Sequence, residues 1–178
     1  MTYYGPKEIA SSFRTVRANT LKIAEDIPED KYSFSPATGS RTVAQTLIHI
    51  SNIHRFQLAI AKISTMVGFD FMALMGPLMA EEQKSYTKAE IIAKLKASGD
   101  EYASWIESLH EAVLGESVAM PPGGTPPART RFDLIISVKE HEMHHRGQLM
   151  MAERIIGIVP HLTRAQQERM AAMQATQK

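Results

Sequence analysis

Three of the chain's seven histidines fall where their imidazoles could share one metal ion. His141 and His145 are four residues apart, so on a helix they stand one turn above the other on one face, both within reach of a single ion. Leu134, Val138, Ala152 and Ile155 continue that face in both directions, which turns the two rings inward instead of into water. His49 sits in the same way on a second stripe with Ile53, Phe56, Ile60 and Ile63. A single inward histidine is ordinarily a hydrogen-bonded core residue. Three in apolar seams would each need a partner of their own, because every unmet buried polar atom costs free energy. One shared cation satisfies a nitrogen on all three rings and leaves the other nitrogen free for a hydrogen bond.

Three neutral imidazoles suit Zn, Ni, Fe or Cu better than Mg or Ca, which prefer oxygen ligands. A three-ligand site leaves at least one position open for water or substrate, as catalytic zinc sites do. A rival motif overlaps these residues. His141-Glu142-Met143-His144-His145 matches H-E-x-x-H, in which the glutamate is the general base of a zinc protease. That motif needs a third ligand further on. Glu153 lies roughly 12 Å beyond His145 along the same helix, too far to share the ion, and Glu168 falls in a polar tail. His49 is the better third ligand. Glu142, about 100° around the helix from His141, is expected to point well away from the line joining the two histidines. His144 reads as a surface residue or a neighbour of the ligands, and His54, His110 and His161 as solvated or locally bonded. Met72, Met75 and Met79 read as lid or interface packing with no chemistry.

Four amphipathic segments must position these residues. The first starts after Gly5-Pro6, carries Ile9, Phe13, Val16, Ile23 and Ile27, and stops at Pro28. The second opens on the capping box Thr42-Val43-Ala44-Gln45, and its stripe runs from His49 through Ile63 to Val67, stopping at Gly68. The third opens on Thr87-Lys88-Ala89-Glu90 and runs through Ile92, Leu95, Tyr102, Ile106, Leu109 and Val113 to Gly115. The fourth starts at Thr130 and ends before Gly157 and Pro160. Thr163 onward could add one marginal helix. No stretch alternates as a half-buried strand does. The expected fold is therefore all-α, a four-helix bundle with two long connections and a short C-terminal extension, in one domain over residues 1–178. One connection, Gly115 to Arg129, is rich in Pro and Gly and reads as irregular, crossing over the bundle or capping a site. The other, Gly68 to Tyr86, has an apolar half that could act as a lid or a subunit contact.

With 44% apolar residues over 178 positions, the chain can bury one sizeable core. Lys and Arg total 20 against 19 for Asp and Glu, so no charge excess favours nucleic acid or an anionic membrane. The absence of cysteine removes disulfides, iron–sulfur ligation and any protein thiol nucleophile. The N-terminal MTYYGPKEIA lacks a basic flank followed by an apolar run, and no apolar stretch reaches the roughly 20 residues a spanning helix needs, so a cytoplasmic location is expected.

The string from His141 to Leu149, HEMHHRGQL, closely resembles the helix-four signature of the DinB family. Thr42 to His54, TVAQTLIHISNIH, is similar to the segment that bears that family's first histidine, and the order of parts agrees from about Pro6 to Pro160. The resemblance implies a homodimeric four-helix bundle with one divalent metal, reported as nickel or zinc, on the positions of His49, His141 and His145. Arg146, Gly147 and Gln148 belong to the signature without an implied catalytic role. Relatives in that family include transferases and isomerases that use mycothiol or bacillithiol. The expected function is that of a metal-dependent enzyme, of the thiol-dependent S-transferase or isomerase class, with a small-molecule thiol and an electrophile as partners. Since the chain has no cysteine, the thiol would arrive as a cosubstrate. The alternatives are a non-catalytic stress-response or dimerisation module with a structural metal, and a zinc hydrolase of the H-E-x-x-H type.

Overall fold

Most of the helices begin where a neighbouring side chain satisfies one of their free backbone N–H groups. The computed structural model describes residues 4–176, so the first three residues of the N-terminal stretch considered above lie outside it. Helix α1 (Pro6–Asp26) starts on its proline, with the Glu8 carboxylate accepting from Gly5 N at 3.0 Å. In α2 (Val43–Ile60), Thr42 Oγ1 accepts from Gln45 N at 3.2 Å while Gln45 Oε1 accepts from Thr42 N at 2.9 Å. Helix α3 (Phe71–Glu82) is capped by Asp70, and α4 (Lys88–Glu107) repeats the α2 capping box with Thr87 and Glu90. Thr130 caps α5 (Arg131–Ile155), and α6 (His161–Ala175) follows Pro160.

The main helix contacts are α1 on α4, α4 on α2, α2 on α5 and α5 on α1. These four form the bundle, with α1 diagonally opposite α2. Two apolar clusters occupy its ends. One joins Ile23, Ile27, Leu47, Ile50, Ile91, Leu95 and Leu149, and the other Ile9, Phe13, Tyr102, Ile106, Ile135 and Val138. Between them runs a buried polar layer of Arg17, Ser98, His54 and Glu142. Arg17 donates to both Glu142 oxygens, at 2.9 to 3.1 Å, to Ser98 Oγ at 2.8 Å and to the Leu95 carbonyl. It fits because residue 99 is glycine: a Cβ there would stand 2.7 Å from Arg17 Cγ.

Several boundaries differ from the periodic reading. Helix α2 stops at Ile60 and does not continue to Val67, although Ile63 and Val67 keep the apolar spacing. The Arg131 guanidinium takes the carbonyls of Ala61 and Ile63, replacing the next helical turn. The chain then bends, and Met66 N donates to Ala119 O at 2.7 Å. Helix α4 stops at Glu107, short of Gly115, and residues Glu111–Gly115 form a separate 3-10 turn. The connection to Tyr86 holds the whole of α3, whose Pro77 faces solvent on the exposed side. The Pro- and Gly-rich connection is not wholly irregular either. Its ends pair as the antiparallel strands β1 (Ser117–Ala119) and β2 (Ala128–Thr130), and Val118 fills a small core with Ile60, Met66 and Leu134. Ile155 is 54% exposed and does not belong to the core seam.

None of the residues of α6 is buried. The helix is tied down by Arg164 on the Asp26 carboxylate, by Arg154 on Thr163 Oγ1 at 3.0 Å and by His161 on Asn19 at 3.0 Å. Beside this contact lies Glu153, fully buried, with neither carboxylate oxygen hydrogen-bonded. Burial first, then the Asp26 charge, pushes its carboxyl up from 4.5 to about 7. A raised folded-state value means that the protonated form suits the fold. Its contribution to stability is therefore complete below about pH 4.5 and lost as the pH rises through about 7. Glu153→Gln should flatten the fall in melting temperature between pH 5 and 8, a difference that parallel thermal melts will read. No described helix is long and apolar enough to cross a membrane.

Candidate metal centre

Helices α2 and α5 pack side by side at the level of the polar layer, and this brings His49 to His141 and His145. His49 Nε2 lies 3.0 Å from His141 Nε2, which lies 3.2 Å from His145 Nε2. One ligand atom from each of the three residues falls within 4.8 Å of the other two. The separations of 3.0 and 3.2 Å are close to the roughly 3.3 Å between nitrogens that share a tetrahedral ion at about 2.0 Å.

The outward nitrogens explain why the inner ones are free. His49 Nδ1 is 2.6 Å from Glu82 Oε1. A carboxylate only accepts, so the ring carries its proton on Nδ1 and presents the Nε2 lone pair inward. Arg41 Nε holds the other Glu82 oxygen at 2.8 Å. His145 Nδ1 donates to Gln148 Oε1 at 2.8 Å, and the Gln148 amide then donates to His144 Nε2 at 3.1 Å. Two lone pairs therefore flank His141 Nε2, while His141 Nδ1 is buried with no partner. Two facing acceptors repel unless a proton or a cation sits between them. A divalent ion suits all three nitrogens at once, and the donor set fits it.

Electrostatics favour the same state. Burial, then the neighbouring imidazoles His145 and His49, pushes His141 down to about 3. Burial also lowers His49 and His145, against the opposing pull of Glu82 on the first and Gln148 on the second. All three rings are thus neutral near pH 7, the form that ligates.

Other residues depart from the sequence reading. Glu142 does point away from the histidine pair, but it is fully buried and committed to Arg17. The H-E-x-x-H match therefore does not place a general base at the centre. His54 is not solvated: it is buried, with Nε2 3.2 Å from Glu101 on α4. His161 reaches Asn19 on α1 and not a local partner, whereas His110 does bond locally, accepting from Ala112 N. Glu82 and Arg41 carry no sequence signal of their own. The separation of 33 positions between His49 and Glu82 hides the pairing, and only recognition of α3 as a helix could have raised it. Met72 and Met79 are 60% and 50% exposed, without polar partners.

A hydrogen-bonded carboxylate fixes a ligand's tautomer and raises its basicity, and losing such a partner typically weakens metal affinity 10- to 100-fold. Glu82→Gln should lower affinity by about that factor while one ion still binds at saturation. Titration against a chromophoric chelator will show it.

Residues 12–149 match the family model of the DinB superfamily. The uncharacterized protein YjoA of Bacillus subtilis strain 168 is 25% identical over 151 residues, covering 84% of this chain and 90% of that protein. The crystal structure of YjoA, a DinB-like protein, matches with a TM-score of 0.63 at 24% identity, over 84% of this chain and 92% of that one. YfiT, also from B. subtilis and described as a probable metal-dependent hydrolase with an unusual four-helix bundle topology, matches with a TM-score of 0.68 at 14% identity, over 89% and 91%. A Streptococcus pneumoniae protein matches with a TM-score of 0.65 at 17% identity, over 88% and 94%. The structural likenesses establish the bundle fold.

Proposed function

This chain belongs to the DinB superfamily, and on that premise we propose that it is a metal-dependent enzyme holding one divalent transition metal, zinc or nickel, on His49, His141 and His145. The observation that carries this reading is the convergence of three neutral Nε2 atoms whose outward nitrogens are fixed by Glu82 on one ring and Gln148 on another. An ion held there supplies Lewis acidity, which lowers the pKa of a thiol or water in its open position. Glu82 keeps the His49 proton on Nδ1, and Gln148 does the same for His145. Leu149 and Ala152 form the apolar wall beside His145. The reaction we assign is thiol transfer to an electrophile, or isomerisation through a thiol adduct, with the thiol supplied as a cosubstrate because the chain has no cysteine.

The test uses protein purified without a metal-binding tag. Electrophiles are paired with several low-molecular-weight thiols, with and without added zinc or nickel, beside thiol-free ester and peptide hydrolysis. Thiol-dependent turnover that a chelator removes and metal restores is the expected result. Hydrolysis without thiol would make water the nucleophile, and silence across the panel in metal-loaded protein would leave a non-catalytic module with a structural metal.

A further inference from the structure

A cleft of about 840 Å³ opens beside the centre, with His145, Glu82 and Gln148 on its wall. Among the described residues, its only cationic side chain is Arg41 and its only acidic one is Glu82. Both Glu82 oxygens are already engaged, one by His49 and the other by Arg41 Nε. Arg41 is otherwise underused. A guanidinium has five N–H donors, and among the described residues only Nε donates to the protein, so the edge formed by its two terminal nitrogens is open. That edge matches a planar oxyanion with two parallel hydrogen bonds. Arg41 also immediately precedes the N-cap of α2, whose first turn contributes Val43, Gln45 and Thr46 to the same wall, so the positive end of the helix dipole adds to its charge.

We propose that the molecule acted on in this cleft carries a carboxylate that docks on the free edge of Arg41 while its reacting group reaches the open position beside the three histidines. The inference rests on the metal-dependent reading above and adds a substrate class to it. One carboxyl group, that of Glu82, bridges Arg41 Nε and His49 Nδ1, which keeps the guanidinium beside a ring of the centre. Arg41 is a specificity-determining residue here, in addition to its support of Glu82.

The experiment uses cobalt-loaded full-length protein titrated with ω-mercaptoalkanoates of two to six carbons and with their methyl esters, reading the thiolate-to-cobalt absorption band. Propionate serves as a competitor without a thiol. At the best-fitting length the acid should bind roughly tenfold tighter than its ester, the effect of one charge-assisted contact. Arg41→Gln, compared at saturating cobalt, should bind acid and ester alike and lose the competition by propionate. Equal binding of acid and ester by the wild type, or a preference that survives in Arg41→Gln, overturns the proposal and leaves the metal reading intact. A wild-type protein that takes up no cobalt overturns both.

Discussion

His141→Ala is expected to empty the metal centre. His141 is the middle imidazole, with the other two Nε2 atoms 3.0 and 3.2 Å away on either side, so its loss removes both close nitrogen pairs and leaves only two ligands. The affinity should fall further than the roughly 100-fold that marks the loss of an outer hydrogen-bond partner. Metal that binds only the folded state at a thousand times its Kd stabilises by about 4 kcal/mol. For a chain of this length each kcal/mol moves the melting temperature by about 2–4 °C, so a chelator should lower the wild-type melt by roughly 8–16 °C and leave that of His141→Ala unmoved. The metal-free comparison should run the other way. His141 Nδ1 is a buried atom without a partner, so the alanine variant should melt no lower than the metal-free wild type. Elemental analysis and melts with and without chelator measure all of this. Wild-type metal content in His141→Ala would sink the assignment.

Arg17→Met should strongly destabilise the bundle. It strands the fully buried Glu142 carboxylate, and breaking a buried pair from one side typically costs about 3–5 kcal/mol. Removing both charges is a different case, since a well-packed apolar replacement of a buried pair is often neutral or better. The double variant Arg17→Met/Glu142→Leu should therefore recover most of the loss in urea titrations. A double variant no more stable than Arg17→Met would show that the other Arg17 contacts, to Leu95 and Ser98, matter more than the ion pair. Glu142→Gln should lose stability too, yet keep its metal, because no histidine nitrogen of the centre touches Glu142. Peptide hydrolysis abolished by that change would instead restore the role of zinc-protease base.

The helix starts were legible because capping is local: Thr42 with Gln45 and Thr87 with Glu90 act over three residues. The four-residue step from His141 to His145 was legible for the same reason. The helix ends were not, because Ile63 and Val67 keep the helical spacing while a residue far along the chain, Arg131, claims the carbonyls that would have continued the helix. Helix α3 was hidden by Gly76-Pro77, which reads as a breaker although the helix runs on through an exposed Pro77. The buried ion pair did leave a trace. Val138, Glu142, His145, Leu149 and Ala152 follow one another at three- and four-residue steps, and all five are buried. Glu142 was thus on the core stripe itself, and Arg17 follows Phe13 by four residues on the matching face of α1. A charge on a core stripe asks for an opposite charge on another, and that question would have paired them.

The bare backbone at position 99 ties three distant stretches of sequence into one inherited unit. A β-carbon there would sit 2.9 Å from Arg17 Nη1, so glycine at 99 is the condition for arginine at 17, and arginine at 17 is the condition for an acid at 142. A lineage cannot exchange one of the three and drift on. Descendants that keep the pair must keep the glycine, whereas those that replace Arg17 are released from that close approach. Among related chains these three positions, on α1, α4 and α5, should change hands together, and a designer shuffling helices between relatives should move them as a set.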